Sequence, residues 1–210
     1  MSQIKSNLEN TPDIDRQIAE SILRKVAESN RTSLEFFTDN SLLIGKLAGA
    51  MAERFQSGGR LFVMGNGGSA CDAEHIAVEF MHPIFEKRKA LPCVSLTTSN
   101  ALLTAISNDT DFSRIFSLQL SQFAKPNDMV LAVSTSGMSA NLVNGLKVAR
   151  EIGALTIAFG GRDGGRLKDL ADYSLVVASF SIHRIQESHT MLLHVLWDTI
   201  HLLAGEDDVI

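Results

Sequence analysis

The chain has only two cysteines in 210 residues, Cys71 and Cys93. That is too few for a disulfide framework, and they lack the spacing of a zinc finger. Both are expected as reduced thiols of a cytosolic protein, with Cys71 a small helix residue rather than a reactive one. Positive charge is also scarce. A formal net charge of −5 leaves no basic stripe for a nucleic acid, although it permits an anionic ligand, which local donors decide. Met1-Ser2-Gln3-Ile4-Lys5 begins no apolar leader, and no run approaches the ~18 apolar residues of a membrane span. The expectation is a cytoplasmic protein with neither nucleic acid nor membrane among its partners. Low-complexity sequence and a second domain are missing too, and the length suits one domain with a well-buried core and appended helices.

What is present centres on Leu61-Phe62-Val63-Met64-Gly65-Asn66-Gly67-Gly68-Ser69. An apolar run of this kind reads as a strand buried on both faces. The Gly-Asn-Gly-Gly-Ser loop lets backbone approach a ligand, and the following residues turn helical, with Ser69 or Asp72 as expected N-caps. Strand, small-residue loop and helix N-terminus form an anion cradle, because free N–H groups and the helix dipole point the same way. The loop is neither a Walker A sequence nor a spaced G-x-G-x-x-G. One turn on, His75 and Glu79 stand four apart on one helix face. By itself His75 is an ordinary helix histidine.

Residues 1–12 read as a loose polar tail. Ile14 to Ser57 reads as helical in two stretches, interrupted at Asp39-Asn40-Ser41, with apolar stripes wide enough for both the domain and a second subunit. Phe85–Ala90 is a charged connection, and Pro92–Leu96 is a second buried strand. Thr97–Asn100 is a polar loop, and Asn108-Asp109-Thr110-Asp111 is a helix stop and start. Met129–Val133 is a third strand, ending in Ser134-Thr135-Ser136-Gly137-Met138-Ser139 before a helix from Ala140 to Glu151. Hydroxyls plus a helix N-terminus make a second anion cradle. Gly153–Phe159 and Tyr173–Val177 read as strands four and five, separated by Gly160–Gly165 and a short helix to Ala171. A last helix runs from His183 to Ala204, and Glu206-Asp207-Asp208 is a frayed acidic end. The alternation gives an α/β fold: about five parallel strands with helices on both faces and an N-terminal helical extension, divided as 1–57 and 58–210. Ligands in such sheets bind beyond the carboxyl ends of the strands, where both cradles lie.

Together these residues resemble the sugar isomerase (SIS) domain and, within it, the phosphoheptose isomerases. The resemblance runs from about residue 40 to 204. It is carried by Gly65-Asn66-Gly67-Gly68-Ser69, Asp72-Ala73-x-His75-x-x-x-Glu79, Asn108-Asp109, Ser134-Thr135-Ser136-Gly137-x-Ser139, Gly160-x-x-Asp163-Gly164-Gly165, and Arg184-Ile185-Gln186-Glu187 with His194. It implies that Ser134, Thr135, Ser136 and Ser139 hold a sugar phosphate. Asn66, Gly67, Gly68, Ser69, Asn108, Asp109, Glu79 and Gln186 position the sugar, and Glu79 and His194 form the acid/base pair. His75, Glu79, Gln186 and His194 match zinc-binding positions. An aldose–ketose isomerase needs a base near neutral pKa and an acid that protonates oxygen, and Glu and His serve if their surroundings separate them. Two positions depart from the pattern: Met138 stands where an asparagine is expected, and His183 where some relatives have aspartate.

The resemblance also covers non-catalytic relatives, namely sugar-phosphate-sensing regulators and a protein that associates with the replication initiator DnaA. The latter lacks the histidine matched by His194, so the enzyme is the expectation. Gln186 and His194 stand eight residues apart, about 12 Å along a helix axis. If both serve one site, they are expected from different subunits of a homotetramer whose sites lie at subunit interfaces.

Overall fold

The computed structural model of the chain describes residues 12–83 and 88–207. The expected loose tail before Pro12, residues 85–87 of the charged connection at 85–90 and Asp208 of the acidic end lie outside the described residues. Five parallel strands, β1 (Leu61–Gly65), β2 (Cys93–Ser95), β3 (Met129–Ser134), β4 (Leu155–Gly161) and β5 (Tyr173–Val177), form one sheet in the order β2-β1-β3-β4-β5. Around it lie α1 (Asp13–Gln56), α2 (Gly68–Met81), α3 (Asn100–Asp109), α4 (Ile115–Phe123), α5 (Ala140–Ile152), α6 (Gly165–Lys168) and α7 (Ile182–Leu203).

The alternation of side chains along each strand feeds two cores. Leu61, Val63, Leu131 and Ile157 pack with Leu47, Met51, Ile76, Phe80, Leu192 and Leu196 of α1, α2 and α7. Phe62, Met64, Val130 and Ala132 pack on the other face with Phe116, Leu120, Leu142 and Leu146 of α4 and α5. Burial on both faces is why β1 and β3 read as unbroken apolar runs. The strand order reverses at β1: the next strand is added on one side and all later ones on the other. Helices α2 and α5, which follow β1 and β3, therefore diverge to opposite faces, and a crevice opens beyond these two strand ends.

Several expectations are corrected. The first helix is continuous over 44 residues. Asp39-Asn40-Ser41 does not interrupt it, because the Asn40 amide donates to the Phe36 carbonyl at 2.8 Å and is satisfied within the helix. β2 is a three-residue edge strand with Val94 exposed, not a strand buried on both faces. β4 starts at Leu155, since Gly153 is the left-handed residue that ends α5. It runs on through Gly160 and Gly161, which pair with Val176 and Val177. Neither Ser69 nor Asp72 caps α2. The cap position is Gly67, at φ +56° and without a side-chain cap bond.

Candidate active site

The loop after β1 depends on glycine. A Cβ on Gly65 would collide with the Ser69 carbonyl, Gly67 has positive φ, and the place of a Cβ on Gly68 is taken by the Gln186 amide. Side chains would therefore either block the turn or push α7 away. The loop after β3 depends on hydroxyls. Ser134 Oγ accepts from the Gly137 N–H at 3.0 Å, and Ser136 Oγ accepts from the Met138 N–H at 3.3 Å. Each hydroxyl hydrogen is thus left to donate to a ligand. Ser139, at the cap position of α5, makes no side-chain cap bond, so its hydroxyl is available as well. The loop after β4 buttresses this one. The Gly164 carbonyl fills the place of a Cβ on Gly137, the Ser136 carbonyl does the same at Gly165, and the Leu167 N–H donates to Gly137 O at 3.1 Å. Across the crevice Asn66 and Asn141 bond to each other twice, at 2.9 and 2.8 Å.

Chemistry-bearing side chains line one stripe of α2. Gly68, Asp72, His75 and Glu79 recur at three- and four-residue spacing, so they share one face. His75 Nε2 lies 3.3 Å from Glu79 Oε1, the Glu79 side chain being 11% exposed. The His194 ring of α7 meets the His75 ring edge-on at 5.2 Å between centroids. Donor atoms of His75, Glu79 and His194 all lie within 4.8 Å of one another. All three belong to one chain, and so does the Gln186–Gly68 contact. Helices α2 and α7 run side by side, with Gln186 at the Gly68 end and His194 at the His75–Glu79 end, so the 12 Å between them is spread along a groove.

Asp72 is half-buried, and its Oδ2 is buried without a hydrogen-bond partner. Burial pushes its carboxyl up to about 6, against a smaller opposing pull from His75. Desolvated carboxyls in clefts are common at working sites. On α7, His189 is buried, with Nε2 3.0 Å from Gly160 O, and burial lowers it to about 4 against that hydrogen bond. It anchors the end of β4. Asn108 and Asp109 end α3 and bond to each other at 2.8 Å. Among the described residues no hydrogen bond ties them to either loop.

A family model described as the SIS domain matches residues 26–161. A phosphoheptose isomerase of Aquifex aeolicus is 39% identical over 185 residues, covering 88% of this chain and 95% of that one. The chain belongs to the SIS-domain phosphoheptose isomerases. The solved phosphoheptose isomerase of Neisseria gonorrhoeae superposes with a TM-score of 0.82 at 35% identity, covering 87% of this chain and 98% of that one. For that of Francisella tularensis the figures are 0.84, 30%, 88% and 98%.

Within this isomerase the His75–Glu79–His194 cluster suits a zinc ion by its donor set, two imidazoles and a carboxylate. Two ligands of a tetrahedral ion bonded at about 2.0–2.2 Å stand about 3.3–3.6 Å apart, and the His75–Glu79 edge has that length. His194 is exposed, and its ligand atom lies within 4.8 Å of the other two. The fourth expected ligand, Gln186, lies against Gly68, which precedes His75 by about 10 Å of helix axis. Sequence reasoning missed Asn141, because a single asparagine in a helix has no periodic signal. Asp72 was legible as a motif member, and its place one turn before His75 was the signal that it shares the stripe.

Proposed function

We propose that this isomerase converts sedoheptulose 7-phosphate to D-glycero-D-manno-heptose 7-phosphate through an enediol, for heptose precursors of surface polysaccharide. The observation that carries the reading is the His75–Glu79–His194 cluster between α7 and the helix that follows one anion cradle, across a crevice from a second. In this reading Ser134, Thr135, Ser136 and Ser139 bind the phosphate, and the backbone of Gly67, Gly68 and Ser69, with Asn66, Asn108, Asp109 and Gln186, positions the sugar. Glu79 removes the proton from the hydroxymethyl carbon and returns it to the former carbonyl carbon. His194 protonates the carbonyl oxygen and takes the proton of the neighbouring hydroxyl, so charge never builds on the enediol. A zinc ion, if bound, would be held by His75, Glu79 and His194 and would supply Lewis-acid polarisation of a sugar oxygen, the Glu79 carboxylate then no longer being a free base.

The N-terminal tail and helices of 1–57 and the SIS domain of 58–210 form one structural unit, and the enzyme assembles as a homotetramer. Ile14, Ile18, Ile22 and Val26, each more than half exposed on α1, give further copies of the chain an apolar surface to cover. Cys71 and Cys93 are free thiols, in keeping with a reducing cytoplasm. A purely regulatory or DnaA-associating role leaves the Glu79–His194 arrangement without a purpose. The test is incubation of pure protein with sedoheptulose 7-phosphate in deuterated buffer. A heptose 7-phosphate carrying deuterium next to its carbonyl is expected. An unchanged substrate overturns the reading, and product without exchange overturns the enediol.

A further inference from the structure

Asn66 is among the residues that family resemblance assigns to the sugar, yet its side chain is already engaged. Its amide nitrogen donates to Asn141 Oδ1 at 2.9 Å, and its oxygen accepts from Asn141 Nδ2 at 2.8 Å. The two amides close a ring of two hydrogen bonds, edge to edge. Asn141 is 2% exposed and is the second residue of α5. Its Oδ1 also accepts from the Leu142 N–H at 2.9 Å, which uses both acceptor positions of that oxygen. A side chain held at three points on a helix has little rotamer freedom, so it is a fixed post for Asn66.

The place of this ring in the fold gives it a task. β1 and β3 are bonded in register up to Gly65 and Val133. Beyond that point their helices diverge, α2 packing Ala73, Ile76 and Phe80 into one core and α5 packing Leu142, Val143 and Leu146 into the other. Sheet hydrogen bonds no longer hold the two loops at a set distance. Among the described residues, the Asn66–Asn141 ring is the side-chain hydrogen-bonded link between the loop that starts α2 and the first turn of α5. On one side of it lie the hydroxyls of Ser134 to Ser139, and on the other the stripe that carries His75 and Glu79.

We propose that Asn66 and Asn141 are a positioning pair, a clamp across the crevice that sets the distance from the hydroxyl loop to the reacting side chains, and that Asn66 acts through Asn141 more than by touching the sugar. This rests on the function proposed above. Misplacement of about 1 Å at a reacting centre can cost as much as a hundredfold, so the loss belongs to turnover more than to capture of the phosphate.

The experiment is a double-mutant cycle on the full-length protein with Asn66→Ala, Asn141→Ala and both together. Three quantities are read: kcat/KM with sedoheptulose 7-phosphate, Kd for inorganic phosphate, and the thermal midpoint. The clamp requires each single variant to lower kcat/KM about tenfold or more, with the double variant no worse than either one, since partners in one interaction are non-additive. Phosphate affinity should stay within about twofold, because the hydroxyl loop is intact. Losses that multiply, or an Asn66→Ala loss far larger than that of Asn141→Ala, overturn the clamp and return Asn66 to the sugar. Should an alanine variant fail to fold, the cycle is repeated with serine at both positions. Wild-type protein that binds phosphate but leaves sedoheptulose 7-phosphate unchanged overturns the function and not the clamp. The clamp is then read from the thermal midpoints, where equal, non-additive shifts support it and additive ones overturn it.

Discussion

The two walls of the crevice are built from the same plan, a buried strand, a tight loop and a helix, and they do different work. The wall after β3 offers hydroxyls whose oxygens are tied to loop N–H groups. Its helix then buries Asn141, Leu142, Val143 and Leu146 and brings no acid or base to the crevice in its first turn. The wall after β1 offers mostly backbone, and its helix carries Asp72, His75 and Glu79 in line. Holding an anion needs donors at fixed places, which a loop supplies. Moving a proton needs side chains at fixed spacing, which a helix supplies. Dividing the tasks between two walls lets the phosphate stay put while the other end of the sugar reacts.

If that division is right, damage to the two walls should separate in kinetics. The largest effect is expected on the α2 wall. Glu79→Gln and His194→Gln should each lower kcat by about 10²–10⁴, with inorganic phosphate still bound in a calorimetric titration. Near-normal turnover by either variant would move the chemistry elsewhere. Because Glu79 and His194 meet within one chain, mixing these two inactive proteins should restore no activity even after subunit exchange. Regained activity would mean that a partner chain supplies one of them.

Next in size is the β3 wall. Ser134→Ala with Ser136→Ala should raise KM by more than an order of magnitude and leave kcat nearly unchanged, since each lost hydrogen bond to a charged group costs about 1.5–3 kcal/mol. A kcat loss as large as that of Glu79→Gln would erase the division. Smaller still is the buttress. Gly165→Ala puts a Cβ against the Ser136 carbonyl at a residue of positive φ, so it should shift the hydroxyl loop and raise KM several-fold. An unchanged KM would mean that the loop after β4 is not needed to hold its neighbour.

The smallest effect concerns stability. The folded Asp72 carboxyl titrates near 6 rather than at 3.8 because it is partly buried. A raised carboxyl binds its proton more tightly when folded, so its favourable contribution is complete below about pH 4 and is lost as pH rises through 6. Asp72→Asn should therefore be more stable than the parent at pH above 7, and the gap should close on acidification below about 4. Denaturant midpoints at the two ends of that range check the sign. A gap that is constant with pH would mean that Asp72 is not desolvated.

Much of this architecture could be read from the chain. β1, β3 and β4 are buried runs or nearly so, and Gly and Ser loops punctuate them where a parallel sheet needs turns. His75 and Glu79 could be paired because helical spacing is a local property. What escaped depends on partners distant in sequence. Asp39-Asn40-Ser41 is the local exception: it looks like a break until the Asn40 amide is seen to bond Phe36 O, one helical turn back. Val94 reads as core until β2 proves to be the sheet edge. Asn141 has no local mark, since its worth lies in a residue 75 positions away. His194 and Gln186 are legible as site residues, but which chain they serve is not, because spacing along one helix says nothing about the neighbour it lies against.

The pairing of α1 with α7 bears on how the chain is made. Ser33 bonds to Ser188 across 155 positions, and Ser29 to Glu187 across 158. The first long helix therefore finds its permanent neighbour only when almost the whole polypeptide has been made. At about 5–20 residues per second, α1 leaves the ribosome roughly 8–30 s before α7 exists, with Phe36, Ile44, Leu47 and Met51, all destined for the core, still exposed. Long-range closure of this kind slows folding. It makes the nascent helix a surface that chaperones, or the same helix on a neighbouring nascent chain, can occupy first.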